Sequence, residues 1–226
     1  MQGDFATKLL RALSSERIGA YRDRMSEDGN ANLFAHYAWN IALSESLYPS
    51  LQILEVVLRN SIHQAICQDF GRTDWYDDGN IINIKDRDAV SKAKKTLAGM
   101  TKPIEPGRIV AELNFGFWTA LMDRRYEQVL WPKLLKPCFP YMPRHLRTRK
   151  NVSGRFERIR RLRNRIFHHE PIWYWHDLEK QHQDILEAIA WIEPAARDFV
   201  AAIDKFPDVY QNGRTVIKAN LEPLYS

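Results

Sequence analysis

Three residues in the run RLRNRIFHHEPIW, residues 161–173, have the types and spacing for phosphodiester chemistry without a metal. Asn164 and His168 are four apart, so on a helix they share a face. An amide one turn below an imidazole can fix its tautomer and orientation. The His168 imidazole would take the proton from a ribose 2′-OH or give one to the leaving 5′-oxygen. Arg163 would stabilise the charge that develops on the phosphoryl oxygens. Because the attacking group is the 2′-OH, this chemistry applies to RNA and not to DNA. His169 follows as a second candidate histidine, and Glu170 comes next.

The surroundings suit a polyanion. Ten basic residues between Arg144 and His169 face one acid, Glu157, which gives that segment +9 and leaves the other 200 residues with −4 of the chain's net +5. A mildly acidic body with one strongly basic element is the footprint of a nucleic-acid partner. Arg155, Arg158, Arg160, Arg161 and Arg165 are candidate phosphate contacts as a group. Plainer uses exist for the same residues: a charge run can be a solvated face or a subunit contact, and histidines at a helix C-terminus can simply answer the dipole. A metal set of His168, His169 and His176 with Glu170 is disfavoured, because adjacent histidines rarely point at one ion. No metal or cofactor is expected. The aromatic run Trp173, Tyr174, Trp175 suits base stacking, although core or dimer packing is the more ordinary use. Ser61 and Cys67 have no legible base partner, and Cys67 with Cys138 makes neither a disulfide framework nor a zinc site.

The elements that must position these residues are helical. A chain of 226 residues, 45% hydrophobic and 12% aromatic, fills a core and is not disordered, and its 10 glycines favour helices over turn-rich sheets. No apolar run approaches the ~18 residues of a membrane span. The start MQGDFATKLLRAL lacks a signal-peptide pattern, so a reducing cytoplasm is the simplest compartment. The periodicity predicts helices over 5–13, 15–24, 32–47 and, after a break at Pro49, 50–70, with Ser15 and Asn32 as caps. A loop is expected at 71–85 and a helix at 86–100. Residues 107–126 read as two short helices or one bent one. The prolines at 131–144 mark an irregular crossing. Further helices are expected at 150–168, at 178–191 and after Pro194. Residues 1–206 are expected to form one domain, with 207–226 a tail carrying an extended piece at 215–218.

On the basic helix Val152, Phe156, Ile159, Leu162 and Ile166 make one buried stripe, and Arg163 falls within it. A guanidinium there needs a buried acid such as Glu55 or the wall of a cleft. Leu51, Leu54, Leu58, Ile62 and Ala65 form a second stripe, on which Glu55 falls with Arg59 at i+4 as the nearest partner.

The run at 161–173 resembles the R-x(4–6)-H signature of HEPN-superfamily ribonucleases, in which a polar residue, often Asn, commonly follows the arginine. Arg163, Asn164 and His168 take those three places. Arg161 with His168, and Arg163 with His169, also satisfy the spacing, while the adjacent Asn164 and the face it shares with His168 favour the first choice. LSSERIGAY at 13–21, LEVVLRNSI at 54–62 and GRIVAELNFGFWTAL at 107–121 are similar to segments of Abi-like abortive-infection proteins of that superfamily. The resemblance spans roughly residues 13–192. It implies an all-α, HEPN-like helical bundle with additional helices that dimerises so that Arg163 of one copy and His168 of the other meet at one phosphate. It further implies a metal-independent endoribonuclease leaving a 2′,3′-cyclic phosphate and a 5′-hydroxyl. Relatives with this signature act in phage defence or as toxins, restrained by an antitoxin protein or noncoding RNA. The rival reading is a non-catalytic RNA-binding or scaffold protein of the same fold, and a purely structural dimer is a third.

Overall fold

The apolar stripes are the faces by which the helices pack. A computed structural model describes residues 2–25 and 29–224, and among these the chain is all-α, with no strand. Helices α1 (Gln2–Leu13) and α2 (Ser15–Arg22) lead into the long α3 (Asn30–Phe70). After them come α4 (Ile84–Gly99), α5 (Pro106–Glu112), α6 (Phe115–Ala120) and α7 (Trp131–Cys138). The basic α8 (Arg149–Phe167) precedes α9 (Leu178–Ile192), α10 (Pro194–Ala201), α11 (Phe206–Asn212) and α12 (Thr215–Leu221). Every member of the two expected stripes, Leu51 to Ala65 on α3 and Val152 to Ile166 on α8, is buried.

Several expected boundaries are corrected. Pro49 does not break the helix but lies inside α3, because the stripe Leu43, Leu47, Leu51, Leu54 is buried on both sides of it. That packing outweighs the ~3 kcal/mol an interior proline costs. The cap of α2 is Ser14, whose hydroxyl accepts from Arg17 N at 3.4 Å, and Asn32 lies within α3 rather than capping it. The 71–85 loop holds a 3₁₀ turn, Trp75–Asp77, and Trp75 and Tyr76 are core residues. The proline-rich crossing contains α7, with Pro132 in its first turn where a missing N–H is harmless. The expected tail is helical: α11 and α12 replace the extended piece, Phe206 is buried, and Trp39 Nε1 donates to Val209 O at 3.1 Å. Against the expectation of no span-like run, one 18-residue window of α3 reaches a mean hydropathy of 1.2. Length and composition alone would let that helix cross a membrane, but a core helix meets the same measure, and Leu33, Leu43, Leu47, Leu54, Leu58 and Ile62 are at most 1% exposed.

The described residues group into two units, each discontinuous in sequence. The first takes Met1–Pro49, Leu162–Gln183 and Ile203–Ser226, and the second takes Ser50–Arg161 and Asp184–Ala202. In the first, Ile18, Tyr21 and Leu33 form a buried cluster against which Tyr37 and Trp173 pack. His182, 1% exposed, stacks on Phe206 at 4.4 Å and sits 2.8 Å from Asp204, out of line for a hydrogen bond. In the second, Trp131 stacks on Phe139, which meets Phe156 tilted at 5.8 Å, and Trp75 meets Trp118 edge-on at 6.1 Å.

Two stability effects follow. Phe156→Ala deletes a fully buried ring and should cost about 3–5 kcal/mol in denaturant unfolding. Burial pushes the His182 pKa down against the pull of Asp204 and Glu179, so the native state keeps the ring neutral. The unfolded chain takes up a proton near pH 6.5. The His182 contribution is therefore complete above about pH 6.5 and is lost as pH falls below it. Unfolding free energies at pH 7 and pH 5 should differ more for the wild type than for His182→Gln.

Candidate active site

The expected catalytic residues lie at the C-terminal end of α8, where the helix stops in a way the backbone makes explicit. His169 has φ 57°, in the left-handed region. Its N–H donates to Ile166 O at 3.0 Å, and Glu170 N–H donates to Arg165 O at 2.8 Å. These two bonds make a Schellman turn, with His168 as the cap and His169 in the place glycine usually takes. His168 N still donates to Asn164 O at 2.9 Å, so both belong to the last helical turn and share its face. Pro171 then prevents continuation.

Side chains remote in sequence hold this turn. Arg17 donates a short hydrogen bond to the carbonyl of His169. Asn40, 3% exposed on α3, accepts from Ile172 N at 2.7 Å and Trp173 N at 3.3 Å, and donates to Glu170 O at 3.5 Å. Arg165 pairs with Glu170 at 3.1 Å and donates to Pro171 O at 3.1 Å. Backbone groups that leave the helix without partners are thereby satisfied. Neither Arg17 nor Asn40 stood out in the sequence as a site residue. The available signal was two polar residues, His36 and Asn40, in register with the buried Leu33, Leu43 and Leu47 of α3.

His168 is exposed, whereas Asn164 and Arg163 are half-buried. The Arg163 guanidinium lies over the Phe167 ring at 4.2 Å. Five residues on a helix turn through about 500°, so Arg163 and His168 leave α8 about 140° apart. His169 is exposed and lines a groove of about 960 Å³ with Ile41, Tyr48, Phe167, Ile203 and Lys205. Ile41, Tyr48, Phe167 and Ile203 are large apolar residues with more than a third of their surface in solvent.

Acids elsewhere in the fold answer much of the basic run. Arg155 donates to Glu187 at 2.6 Å and to Asp184 O at 3.1 Å, and it lies over Trp191, which makes it a packing residue as well as a charge. Arg158 stands 3.7 Å from Asp184, and Arg160 makes two hydrogen bonds to Glu157. Arg149 pairs with Glu127, and Arg147 donates to the carbonyls of Pro140 and Met142. Arg161 is exposed and has no partner among the described residues. Glu55 and Arg59 are half-buried in the second unit, where Arg59 donates to Ala111 O at 3.4 Å.

Other candidate nucleophiles do not gain a base. Ser61 donates to Cys138 O at 3.0 Å. Cys67 Sγ lies 3.6 Å from His63 Nε2, but Trp75 Nε1 donates to His63 Nδ1 at 2.9 Å, which places the neutral ring's proton on Nε2. Burial pushes the His63 pKa down and the Cys67 thiol up, so both stay neutral. Cys138 is pushed up to about 12 by burial. Among the described residues no three His, Cys, Asp or Glu side chains come together as a metal-ion set. The chain matches no family model, no curated protein and no solved structure.

Asn40 gives a direct test of how the turn is held. Asn40→Ala leaves the Ile172 and Trp173 N–H groups without their acceptor, which should cost about 1–3 kcal/mol. Hydrogen exchange should speed up at those two amides before it changes at Leu54 or Phe156.

Proposed function

We propose that this chain is a metal-independent endoribonuclease of the Abi-like HEPN type that works as a homodimer. The observation that carries the reading is the exposed His168 imidazole, one turn above Asn164, at the end of the basic helix and on a turn clamped from outside that helix. His168 takes the proton of a ribose 2′-OH. The 2′-oxygen attacks the adjacent phosphorus, the P–O5′ bond breaks, and the proton is returned to the leaving 5′-oxygen. The products are a 2′,3′-cyclic phosphate and a 5′-hydroxyl. Arg163 stabilises the charge on the phosphoryl oxygens.

On one copy Arg163 and His168 leave α8 about 140° apart, so the reading pairs Arg163 of one copy with His168 of a second. An exposed apolar groove next to His169 suits such a contact. His169 takes a structural part, since its left-handed backbone and its bonded carbonyl shape the turn that presents His168. The ion pairs on α8 do not oppose RNA binding. Exposed pairs are worth about 0–1 kcal/mol, and phosphate oxygens can replace carboxylates on Arg158, Arg160 and Arg165. The resemblance carries the biological setting, phage defence or a toxin role with an antitoxin, in a reducing cytoplasm where Cys67 and Cys138 stay free.

Purified protein in EDTA should cleave a mixed RNA pool and leave cyclic-phosphate ends. His168→Ala should lower the rate by ~10²–10⁴ with little change in RNA affinity. Arg163→Ala should lower it by a similar factor, and mixing the two inactive variants should restore part of the activity through hybrid dimers. RNA binding without cleavage, with an unaltered response to His168→Ala, would instead support the non-catalytic RNA-binding protein.

A further inference from the structure

A second opening in the first unit has a different chemistry. Trp39, Trp173, Tyr174, Trp175 and Tyr210 converge on a cavity of about 820 Å³. All five rings are half-buried, unlike Trp75 and Trp118, whose surfaces are wholly inside the core. Guanidinium groups already cover two of them: Arg24 lies over Tyr174 at 4.7 Å, and Arg165 over Trp175 at 5.3 Å. The Trp173 indole N–H is buried without a hydrogen-bond partner among the described residues. His176, Glu179 and Gln211 supply polar groups at the same opening.

We propose that this aromatic cavity is a stacking subsite for an unpaired base of single-stranded nucleic acid, an inference that rests on the reading of RNA as the substrate. A flat π-system gains from rings and guanidinium planes together, and its phosphates gain from the cations. A cationic guest would meet Arg24 and Arg165 on the very rings it needs. The Tyr174 phenol reports the local field: burial raises its pKa, but hydrogen bonds from Trp175 and Arg24 and the charges of Arg165 and Arg24 outweigh burial and lower it. The exposed side chains of His176 and Gln211 can read a base edge or a sugar. Trp173 follows His168 by five residues, so their Cα atoms are at most about 18 Å apart. A strand with one phosphate at His168 reaches the cavity within a few nucleotides.

The test uses single-stranded DNA of mixed sequence, which has no 2′-OH and cannot be cut by the proposed chemistry, beside an abasic strand of equal length. The expected result is tryptophan quenching and tighter binding with the base-bearing strand. Trp175→Ala should weaken that binding by about 5–150-fold. Trp175→Phe should retain most of it, and affinity for inorganic polyphosphate should not change. Equal binding of the two strands by the wild-type protein overturns the subsite without needing any variant. Base-dependent binding in a protein that does not cleave RNA would keep the subsite and reject the ribonuclease. Cleavage lost in His168→Ala together with unaltered binding by Trp175→Ala would do the reverse.

Discussion

A left-handed residue at the end of a helix is costly unless it is glycine, and the candidate active site is built around one. Placing His169 at φ 57° costs about 1–2 kcal/mol. The two Schellman hydrogen bonds, the Arg17 bond to its carbonyl and the Asn40 bonds to Ile172 and Trp173 offset it at about 0.5–1.5 kcal/mol each. What this achieves is positional. The chain leaves α8 sharply, His168 stays on the last helical turn in solvent, and Trp173, Tyr174 and Trp175 are turned into an aromatic cavity.

The electrostatics of α8 are more economical than its composition suggests. A run of ten basic residues would repel itself and lower stability if left bare. Here Asp184, Glu187, Glu127, Glu157 and Glu170 each meet one or more of those arginines, and carbonyls of the proline-rich crossing take up Arg147. Arg149 and Arg155 are consequently architectural, with side chains 16% and 13% exposed. Arg158, Arg160 and Arg161 are the more exposed and keep more of their charge in solvent. Sequence counting treats all of these residues alike, whereas burial and partners separate them.

The same long helix serves two purposes. On α3 the buried side is nearly continuous leucine, and its register lets Pro49 sit inside the helix. His36 and Asn40 interrupt that side because they have work beyond packing. Asn40 satisfies the turn after α8, and His36 donates from Nδ1 to Asn32 O, which leaves Nε2 to accept from Arg214 at 2.6 Å while the ring packs on Trp173 at 4.3 Å. Burying a polar group is costly unless it is hydrogen-bonded, and these two pair with segments over a hundred residues away in the chain.

Local rules were enough for the all-α class, the stripes on α3 and α8, and the shared face of Asn164 and His168, because each follows from the 3.6-residue period within one element. The candidate residues themselves were also legible, since their types and spacing are properties of one short run. Pro49, the burial of Trp75 and Tyr76, and the helices beyond Phe206 were not, because packing against distant segments overrides local propensity there. Only tertiary structure decided that His169 takes the left-handed position, that Arg17 and Asn40 hold it, and which arginines are answered by acids. Those outcomes depend on hydrogen bonds and ion pairs between residues whose separation along the chain carries no periodic signal.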